Sequence, residues 1–344
     1  MKRTKKMNWD NHKMLLKIAQ KAKMAIGTRI VVSNGLFTAT TAIKDKAAIT
    51  EMRVKCEDFA AAVWTSSFVQ VVTKTQVNKV EKNKDNIIIN SIFSIDTIDG
   101  FFLLEPKTFE THDFVYLPAD ILASLKAYKP LKDFKDREMN DYYGVGKGVI
   151  YRTDGSSILK YPVKEFTDGS SILRYPVKEF GDTEKYRKLP KELLDWAKGE
   201  VHVHFDRELT MFRVLEINSG SVMCGQVLDG IAPNIDPAYR KIGEYEMTIN
   251  RKYLETIVSA FKTMGTEFMQ FTCEENIVQV CGLETKMQAG TSDCDFPNIC
   301  FSTEAIANLL KVDKNSEVFY VKILEPDAPA MWSASMTLMP IILK

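Results

Sequence analysis

The chain has 344 residues, enough for two or three domains that each bury a core of their own. Its 46 Lys and Arg stand against 45 Asp and Glu, a net charge of +1 that excludes bulk charge as the means of holding a polyanion, so any electrostatic signal has to be local. No apolar run reaches the length of a membrane-spanning helix, and six Cys without a CxxC pair read as reduced thiols of a cytosolic protein rather than as a zinc site or a disulfide framework.

Lys2, Arg3, Lys5 and Lys6 precede no apolar segment and are expected to be a solvated tail or a helper contact with phosphates, not a secretory signal. Residues 11–24 carry Leu15, Ile18, Ala19 and Ala22 on one side, which predicts a helix, and strands are expected at 28–32 and 36–41. Beyond these, 53–64 reads as a short helix packed through Phe59 and Val63. Strands are then expected at 68–73, 87–93 and 101–104, with a polar hairpin loop at 74–85. Leu117-Pro118 opens a unit with a helix start followed by a β-rich stretch from 145 to 177. Leu189-Pro190 opens another: a helix to about 197, then strands at 201–205, 212–217 and 222–228.

The last hundred residues repeat this order twice. An extended run at 246–249 leads into a helix at 251–262 with Leu254, Ile257, Val258 and Phe261 at helical spacing; Ile306, Leu309 and Leu310 repeat that spacing, and β-type runs follow each helix. Six units in three pairs give domains of 1–112, 113–241 and 242–344, each an α+β assembly with two helices on one face of antiparallel sheets. A sharper repeat lies inside the second domain. Residues 153–166, Thr-Asp-Gly-Ser-Ser-Ile-Leu-Lys-Tyr-Pro-Val-Lys-Glu-Phe, recur at 167–180 with only Arg174 in place of Lys160, so each copy supplies a turn and a strand.

The faces of the six expected helices that point away from the core carry Lys13, Lys17 and Lys21, then Lys126 and Lys129, Lys191 and Lys198, Arg251 and Lys252, and Lys311 and Lys314. The helical windows are net basic and the remainder net acidic. Such faces are either solvated or line a surface that meets a polyanion, and in the second case the contacts go to phosphates, independent of base sequence and sensitive to salt.

With these features in order, the chain resembles the bacterial sliding clamp, the beta subunit of DNA polymerase III, including phage versions of it. The resemblance rests on Thr337-Leu338-Met339-Pro340-Ile341-Ile342-Leu343, similar to the family's Met-Pro tail; on Leu228-Asp229-Gly230 with Pro237-Ala238-Tyr239-Arg240-Lys241-Ile242, similar to the passage closing its second domain; and on Thr-Asp-Gly downstream of Tyr142-Tyr143. It implies a homodimeric ring that encircles double-stranded DNA as a processivity factor, with a DNA polymerase and a clamp loader as partners, in the bacterial cytoplasm, without cofactor or catalytic residue. It further implies DNA contacts from Tyr142, Tyr143 and Arg29 beside the helix lysines, the alternative for the tyrosines being strand packing.

The resemblance also implies an apolar pocket for partner peptides. Spacing to Pro190 assigns the second Thr-Asp-Gly copy to it and the first, 153–156, to a hairpin turn. The pocket set is then Thr167, Gly169, Ser170, Ser171, Ile172, Pro237, Arg240, Lys241, Ile242, Leu338, Met339, Pro340, Ile341, Ile342 and Leu343, with a buried last strand as the alternative for the tail. Ser170 and Ser171 depart from the family's His-Arg pair, and Ile342 from an Arg. Competing readings are a metal-dependent nucleic-acid hydrolase using Asp293 and Asp295, or Asp96 and Asp99, and a clamp-like scaffold that does not encircle DNA. His202 and His204 share a strand face, but no third metal ligand is evident.

Overall fold

The computed structural model describes residues 7–98, 113–146, 148–162, 164–167, 186–206, 210–240, 243, 245–282, 285–332 and 336–341. They fall into two compact units woven from separated stretches of chain. The first comprises Met1–Leu122, Val163–Lys178 and Leu189–Asp229; the second comprises Ala123–Pro162, Glu179–Lys188 and Gly230–Lys344.

In the first unit, helix α1 (Asp10–Lys21) buries Leu15 and Ala19 together with Asn11 and His12. Strands β1 (Gly27–Ser33), β2 (Leu36–Ile43) and β3 (Lys46–Arg53) form a meander in which β2 alternates strictly between buried and half-buried positions, the mark of a sheet with one covered face. Asn34 and Gly35 turn the first hairpin with positive φ, as a two-residue connection requires. Then come β4 (Phe59–Trp64), helix α2 (Thr65–Val72) and a three-stranded sheet of β5 (Val80–Lys82), β6 (Asn86–Ile89) and β7 (Phe93–Asp96).

Two expectations are corrected here. The segment 53–64 is not a helix: Phe59, Ala61 and Val63 pack inward at a strand's period of two, and β4 pairs with β1 from Gly27↔Trp64 to Val32↔Phe59. The helix lies in the following segment, where a strand was expected at 68–73, because Thr65, Phe68, Val69 and Val72 are the buried set and their spacing is helical. The loop expected at 74–85 contains β5, and the strand expected at 87–93 is split between β6 and β7 by a turn at Asn90 and Ser91, both with positive φ. The strand expected at 101–104 lies outside the described residues.

The unit's main sheet has nine strands, β12-β8-β14-β15-β16-β3-β2-β1-β4, with β8 (Asp113–Leu117), β12 (Lys164–Thr167), β14 (Val201–Phe205), β15 (Met211–Glu216) and β16 (Val222–Gln226). The pairing of β16 with β3 joins segments far apart in sequence: Val222↔Ile49, Met223↔Ala48 and Cys224↔Ala47. Before β14 the expected helix shrinks to a single turn, α4 (Glu192–Asp195), because Leu189 and Pro190 belong to β13 (Tyr186–Pro190).

Beside that seam lies a buried polar network. The Glu216 carboxylate accepts from Asn8 Nδ2 (2.9 Å), Ser219 Oγ (2.5 Å) and the backbone N–H groups of Lys198 (2.6 Å) and Gly199 (3.0 Å). Burial pushes its pKa up, but these four hydrogen bonds together pull it below the usual carboxylate value. Asn11 Nδ2 donates to the carbonyls of Ile49 and Val222, one on each side of the β3–β16 pairing. Next to it His12 is fully buried, with Nδ1 2.7 Å from Thr41 Oγ1 and Nε2 3.1 Å from Thr50 Oγ1; burial lowers its pKa to about 3, so it is neutral.

The second unit's sheet has thirteen strands: β17-β13-β9-β10-β11-β25-β24-β23-β18-β21-β20-β19-β22. Its members are β9 (Tyr142–Gly146), β10 (Val149–Thr153), β11 (Ser157–Pro162), β13, β17 (Leu228–Ala232), β18 (Tyr245–Asn250), β19 (Phe268–Glu274), β20 (Ile277–Cys281), β21 (Lys286–Ser292), β22 (Ile299–Ser302), β23 (Val318–Ile323), β24 (Ala330–Met331) and β25 (Met336–Leu338). Among the described residues α3 (Ala119–Ala127) follows Pro118, α5 (Asp236–Arg240) follows β17, and α6 (Arg251–Thr263) and α7 (Thr303–Val312) lie in the C-terminal half. Helices α6 and α7 form where the spacing placed them, with Leu254, Ile257, Val258, Phe261, Ile306 and Leu309 buried. Side-chain caps start both: Asn250 accepts from the N–H groups of Lys252 and Tyr253, and Ser302 from those of Glu304 and Ala305. Trp332, fully buried, gathers Phe271, Phe301 and Phe319 around it.

Glu216→Ala leaves the buried Asn8 and Ser219 donors and the half-buried N–H groups of Lys198 and Gly199 without their carboxylate and is expected to cost the first unit about 3 kcal/mol in urea unfolding. A pH effect follows from His12. Its folded pKa lies below its unfolded value, so its contribution is complete above pH about 6.5 and is lost as pH falls, because only the unfolded chain takes up the proton. Between pH 7 and 5 the wild type is expected to lose about 2 kcal/mol more than a folded His12→Gln variant.

Candidate functional site

The C-terminal tail is a strand up to Leu338 and then emerges. Met336, Thr337 and Leu338 are buried and pair with β11 as Leu159↔Met336, Ile158↔Thr337 and Ser157↔Leu338. Beyond them Met339 N–H donates to Ser156 O (2.8 Å) and Ile341 N–H to Cys300 O (2.8 Å), while the Met339 side chain is 37% exposed and Pro340 and Ile341 are half-buried. The two readings of the tail therefore divide it: a buried last strand to Leu338, an accessible apolar end after it.

The turn beside the tail is the first Thr-Asp-Gly copy. Thr153 ends β10, Gly155 has φ +89, and the buried Asp154 carboxylate accepts from the N–H groups of Leu131, Ser156 and Ser157 and from the hydroxyls of Ser156 and Ser157. The first copy thus forms the hairpin turn expected of it, between β10 and β11, and the pocket role expected of the second copy falls on residues mostly outside the described ones. A hairpin closes most readily between adjacent segments, so the first copy folds β10 back onto β11, which in turn pairs with β25. Thr167 instead ends β12, opposite Asp113. Gly169, Ser170, Ser171, Ile172, Lys241, Ile242, Ile342 and Leu343 lie outside the described residues.

On the sheet face carrying Ile158 and Thr337, a group of tyrosines fills the next layer. Tyr151 lies across Gly144, its register partner on β9, and its hydroxyl donates to Pro233 O; a Cβ at position 144 would run into the ring. Tyr186 meets Tyr151 edge-on, with centroids 5.2 Å apart, and donates to Asp236 Oδ1 (2.6 Å). These bonds hold the segment leading to Pro237, which is exposed on α5, and Arg240 closes that helix. Lys188 pairs with Glu138 (2.6 Å) and sits 5.2 Å over the Tyr142 ring. Burial, reinforced by Glu138, pushes the Tyr142 hydroxyl up to about 12, and burial raises Tyr151 further, so both stay protonated and Tyr151 keeps its bond to Pro233 O. Lys160 is lowered by burial against the opposing pull of Asp236. Gly144, Tyr151 and Tyr186 were not singled out from sequence; the signal available was a glycine directly after a tyrosine pair in a β-rich stretch.

The basic residues divide by environment. Lys13, Lys17 and Lys21 are exposed along one face of α1, and Lys129, Lys198 and Lys252 are exposed as well, Lys198 pairing with Asp10 (2.6 Å). Lys126 and Lys191 are half-buried, Lys191 lying 4.0 Å from Asp195; Arg29 is exposed on β1. Three expected DNA contacts are corrected. Tyr142 and Tyr143 are buried, so neither ring offers a face to a duplex. Arg251 is engaged elsewhere: its guanidinium donates to the carbonyls of Leu310 (2.7 Å), Ser316 (3.3 Å) and Asp313, closing the end of α7, and to Glu255 Oε1 (2.7 Å).

His202 and His204 do share a face of β14, with ring centroids 6.1 Å apart, and burial followed by Arg213 and His202 lowers His204 to about 4. Among the described residues no group of three or more His, Cys, Asp or Glu is placed to hold a metal ion.

No protein-family model and no curated protein matches the chain. Solved structures do. The chain is similar to a Helicobacter pylori beta clamp bound to a DNA ligase peptide, with 12% identity and a TM-score of 0.69 over 98% of this chain and 99% of that one. It is similar to the Thermotoga maritima DNA polymerase III beta subunit, with 14% identity and a TM-score of 0.64 over 92% and 91%. A third likeness is to the Bacillus subtilis DNA polymerase sliding clamp, with 15% identity and a TM-score of 0.67 over 92% and 91%. The chain thus has the fold of bacterial sliding clamps, built of repeated α+β elements, at identities that carry the fold alone.

Gly144→Ala is expected to lower stability by about 2 kcal/mol through the clash with Tyr151, and Tyr151→Ala in the same chain should relieve part of that loss. A double-mutant cycle read by thermal unfolding checks the coupling.

Proposed function

We propose that the chain is a sliding clamp: a non-catalytic processivity factor that encircles double-stranded DNA as a closed homodimer and tethers a polymerase. In this reading its paired units form domains 1–112, 113–241 and 242–344, and the helices carrying Lys13, Lys17, Lys21 and Lys252, with Lys129 and Lys198 just past the ends of α3 and α4, face the duplex. What supports it most is the likeness to clamp structures along 98% of the chain, together with exposed lysines that recur on helices or just past their ends. Topology holds such a ring on DNA, so each phosphate contact can be weak and non-specific, as sliding requires.

Partner peptides, in the same reading, dock where the tail leaves the sheet. Gly155, Ser156 and Ile158 of the first Thr-Asp-Gly copy, Pro237, and Met339 with Pro340 and Ile341 form the surface. Ile158 and Met339 offer apolar area for Leu or Phe anchors. The neutral Ser156 and Ser157 shift discrimination from charge to shape. A clamp loader and a polymerase are the expected bearers of such peptides, in a bacterial cytoplasm.

Two measurements test this. Loaded onto nicked circular DNA, the protein should remain bound through a wash at high salt and leave when the circle is linearised; loss from the intact circle in that wash would sink the encircling ring and favour a scaffold that does not enclose DNA. For docking, Met339→Glu should weaken a fluorescein-labelled peptide with Leu and Phe anchors by about tenfold or more in anisotropy titrations, with unfolding unchanged. Unaltered affinity would rule out this surface.

A further inference from the structure

A strand edge in the first unit lies open beside a groove. β5 ends its three-stranded sheet and pairs with β6 alone, as Val80↔Ile89, Glu81↔Ile88 and Lys82↔Ile87. Asn90 N–H donates to Lys79 O (2.8 Å) and Asn83 N–H to Asn86 O (2.9 Å), so residues 79, 81 and 83 turn their backbone groups toward β6. Val80 and Lys82, one step out of phase, turn theirs the other way. On that side Lys55 forms a parallel bridge with Lys79, after which the two segments part: 56–58 belong to no strand and β4 starts at Phe59. The divergence leaves a half-open groove of about 720 Å³ between 55–59 and 79–84, a volume typical of ligand clefts.

The edge is held rigidly, because Val80, Ile87 and Ile89 are fully buried in the core beneath it. Its charges are unevenly engaged. Asp58 accepts from Asn34 N–H (2.8 Å), and Glu81 is held by Lys79 (2.5 Å) and Ser91 Oγ (3.4 Å). The hydrogen bond from Lys79 keeps the Glu81 carboxyl below its ordinary value. Lys55, Lys82 and Lys84 line the groove, are exposed, and make no ion pair among the described residues, which leaves three cations against Glu57.

An open edge admits another strand, and the lysines along it decide which strand can approach. A second copy of this chain would bring the same lysines to its own edge, where like charges repel. A nucleic acid offers the opposite charge but no peptide ladder for Val80 and Lys82. An extended peptide carrying Asp or Glu offers both.

We propose that the free edge of β5 docks an extended acidic segment of a partner protein, added as a further strand along Val80 to Lys84 with its carboxylates toward Lys55, Lys82 and Lys84. Five residues of strand span about 16 Å, so four or five partner residues fill the edge. Main-chain bonds set register and affinity, and the lysines select the sign of charge. The site lies wholly in the first unit and does not depend on the clamp reading.

The probe is a fluorescein-labelled octapeptide of alternating Glu and Val with blocked ends, titrated by anisotropy against the full chain. It is expected to bind, more weakly as salt is raised, with a Lys and Val counterpart about tenfold weaker or worse. No binding up to about millimolar concentration would overturn the proposal. The same octapeptide with methylated backbone nitrogens keeps its charge and loses its donors, so its affinity should fall about tenfold or more; equal affinity would show attraction by charge alone and sink strand addition. Lys82→Glu combined with Lys84→Glu, both at exposed positions, should weaken the Glu and Val peptide about tenfold or more with thermal unfolding unchanged. Unaltered affinity would put the peptide elsewhere and reject the site. In the unmodified chain, amide exchange at Lys82 should slow when the peptide is added, a readout that needs no variant. Unchanged exchange at saturating peptide would contradict the proposal, as would an oligothymidylate that slows it where the peptide does not, since that result assigns the groove to phosphates.

Discussion

Backbone pairing between distant segments is the constraint on which this molecule depends. A buried N–H or C=O without a partner costs on the order of 1–3 kcal/mol, so a strand that ends one group of elements has to be continued by another or exposed to water. Here β16 meets β3 in the first unit, and β11 meets β25 in the second. Each junction extends one sheet through chain segments far apart in sequence, and each unit is consequently woven from three stretches of chain. Both junctions sit next to polar groups that are fully used. Asn11 bonds carbonyls on both sides of the β3–β16 pairing, and Asp154 fixes the turn that presents β11 to the tail.

The same constraint shapes the candidate docking surface. The tail is secured by its backbone up to Leu338, which leaves the side chains of Met339, Pro340 and Ile341 to be displayed without loosening the strand. Tyr151 and Tyr186 anchor the opposite wall by donating to Pro233 O and Asp236. Surface charge enters differently. Lys13, Lys17 and Lys21 are exposed, where single ion pairs contribute little to stability, and are therefore free to vary with function and not with folding. Arg251 shows the contrast: a cation of the same apparent pattern is committed to closing a helix and is lost to any ligand.

Helical periodicity was readable wherever it ran for three turns, as in α1, α6 and α7, and so were the alternating strands after them. It failed at 53–72, where Phe59 and Val63 satisfy both the i, i+4 and the i, i+2 spacing; only the pairing of β4 with β1 decides between them. The first Thr-Asp-Gly copy was legible as a hairpin turn, because Asp-Gly between β-formers closes adjacent segments, but its place beside the tail was not, because the pairing of β11 with β25 joins segments far apart in sequence. Burial was the least legible property. The sequence leaves Tyr142 and Tyr143 open between a DNA contact and strand packing; they are enclosed, Tyr142 beside the Lys188–Glu138 pair and Tyr143 facing Arg152, and nothing local announces those neighbours.

The central claim is that these paired units close into a ring around DNA. Negative-stain electron microscopy of the purified full chain is its most direct test. The account predicts a closed particle made of two copies with a central hole wide enough for a DNA duplex, roughly 20 Å or more, bounded by the helices. Single-copy particles without a hole, at concentrations where size-exclusion chromatography shows one homogeneous species, would contradict it.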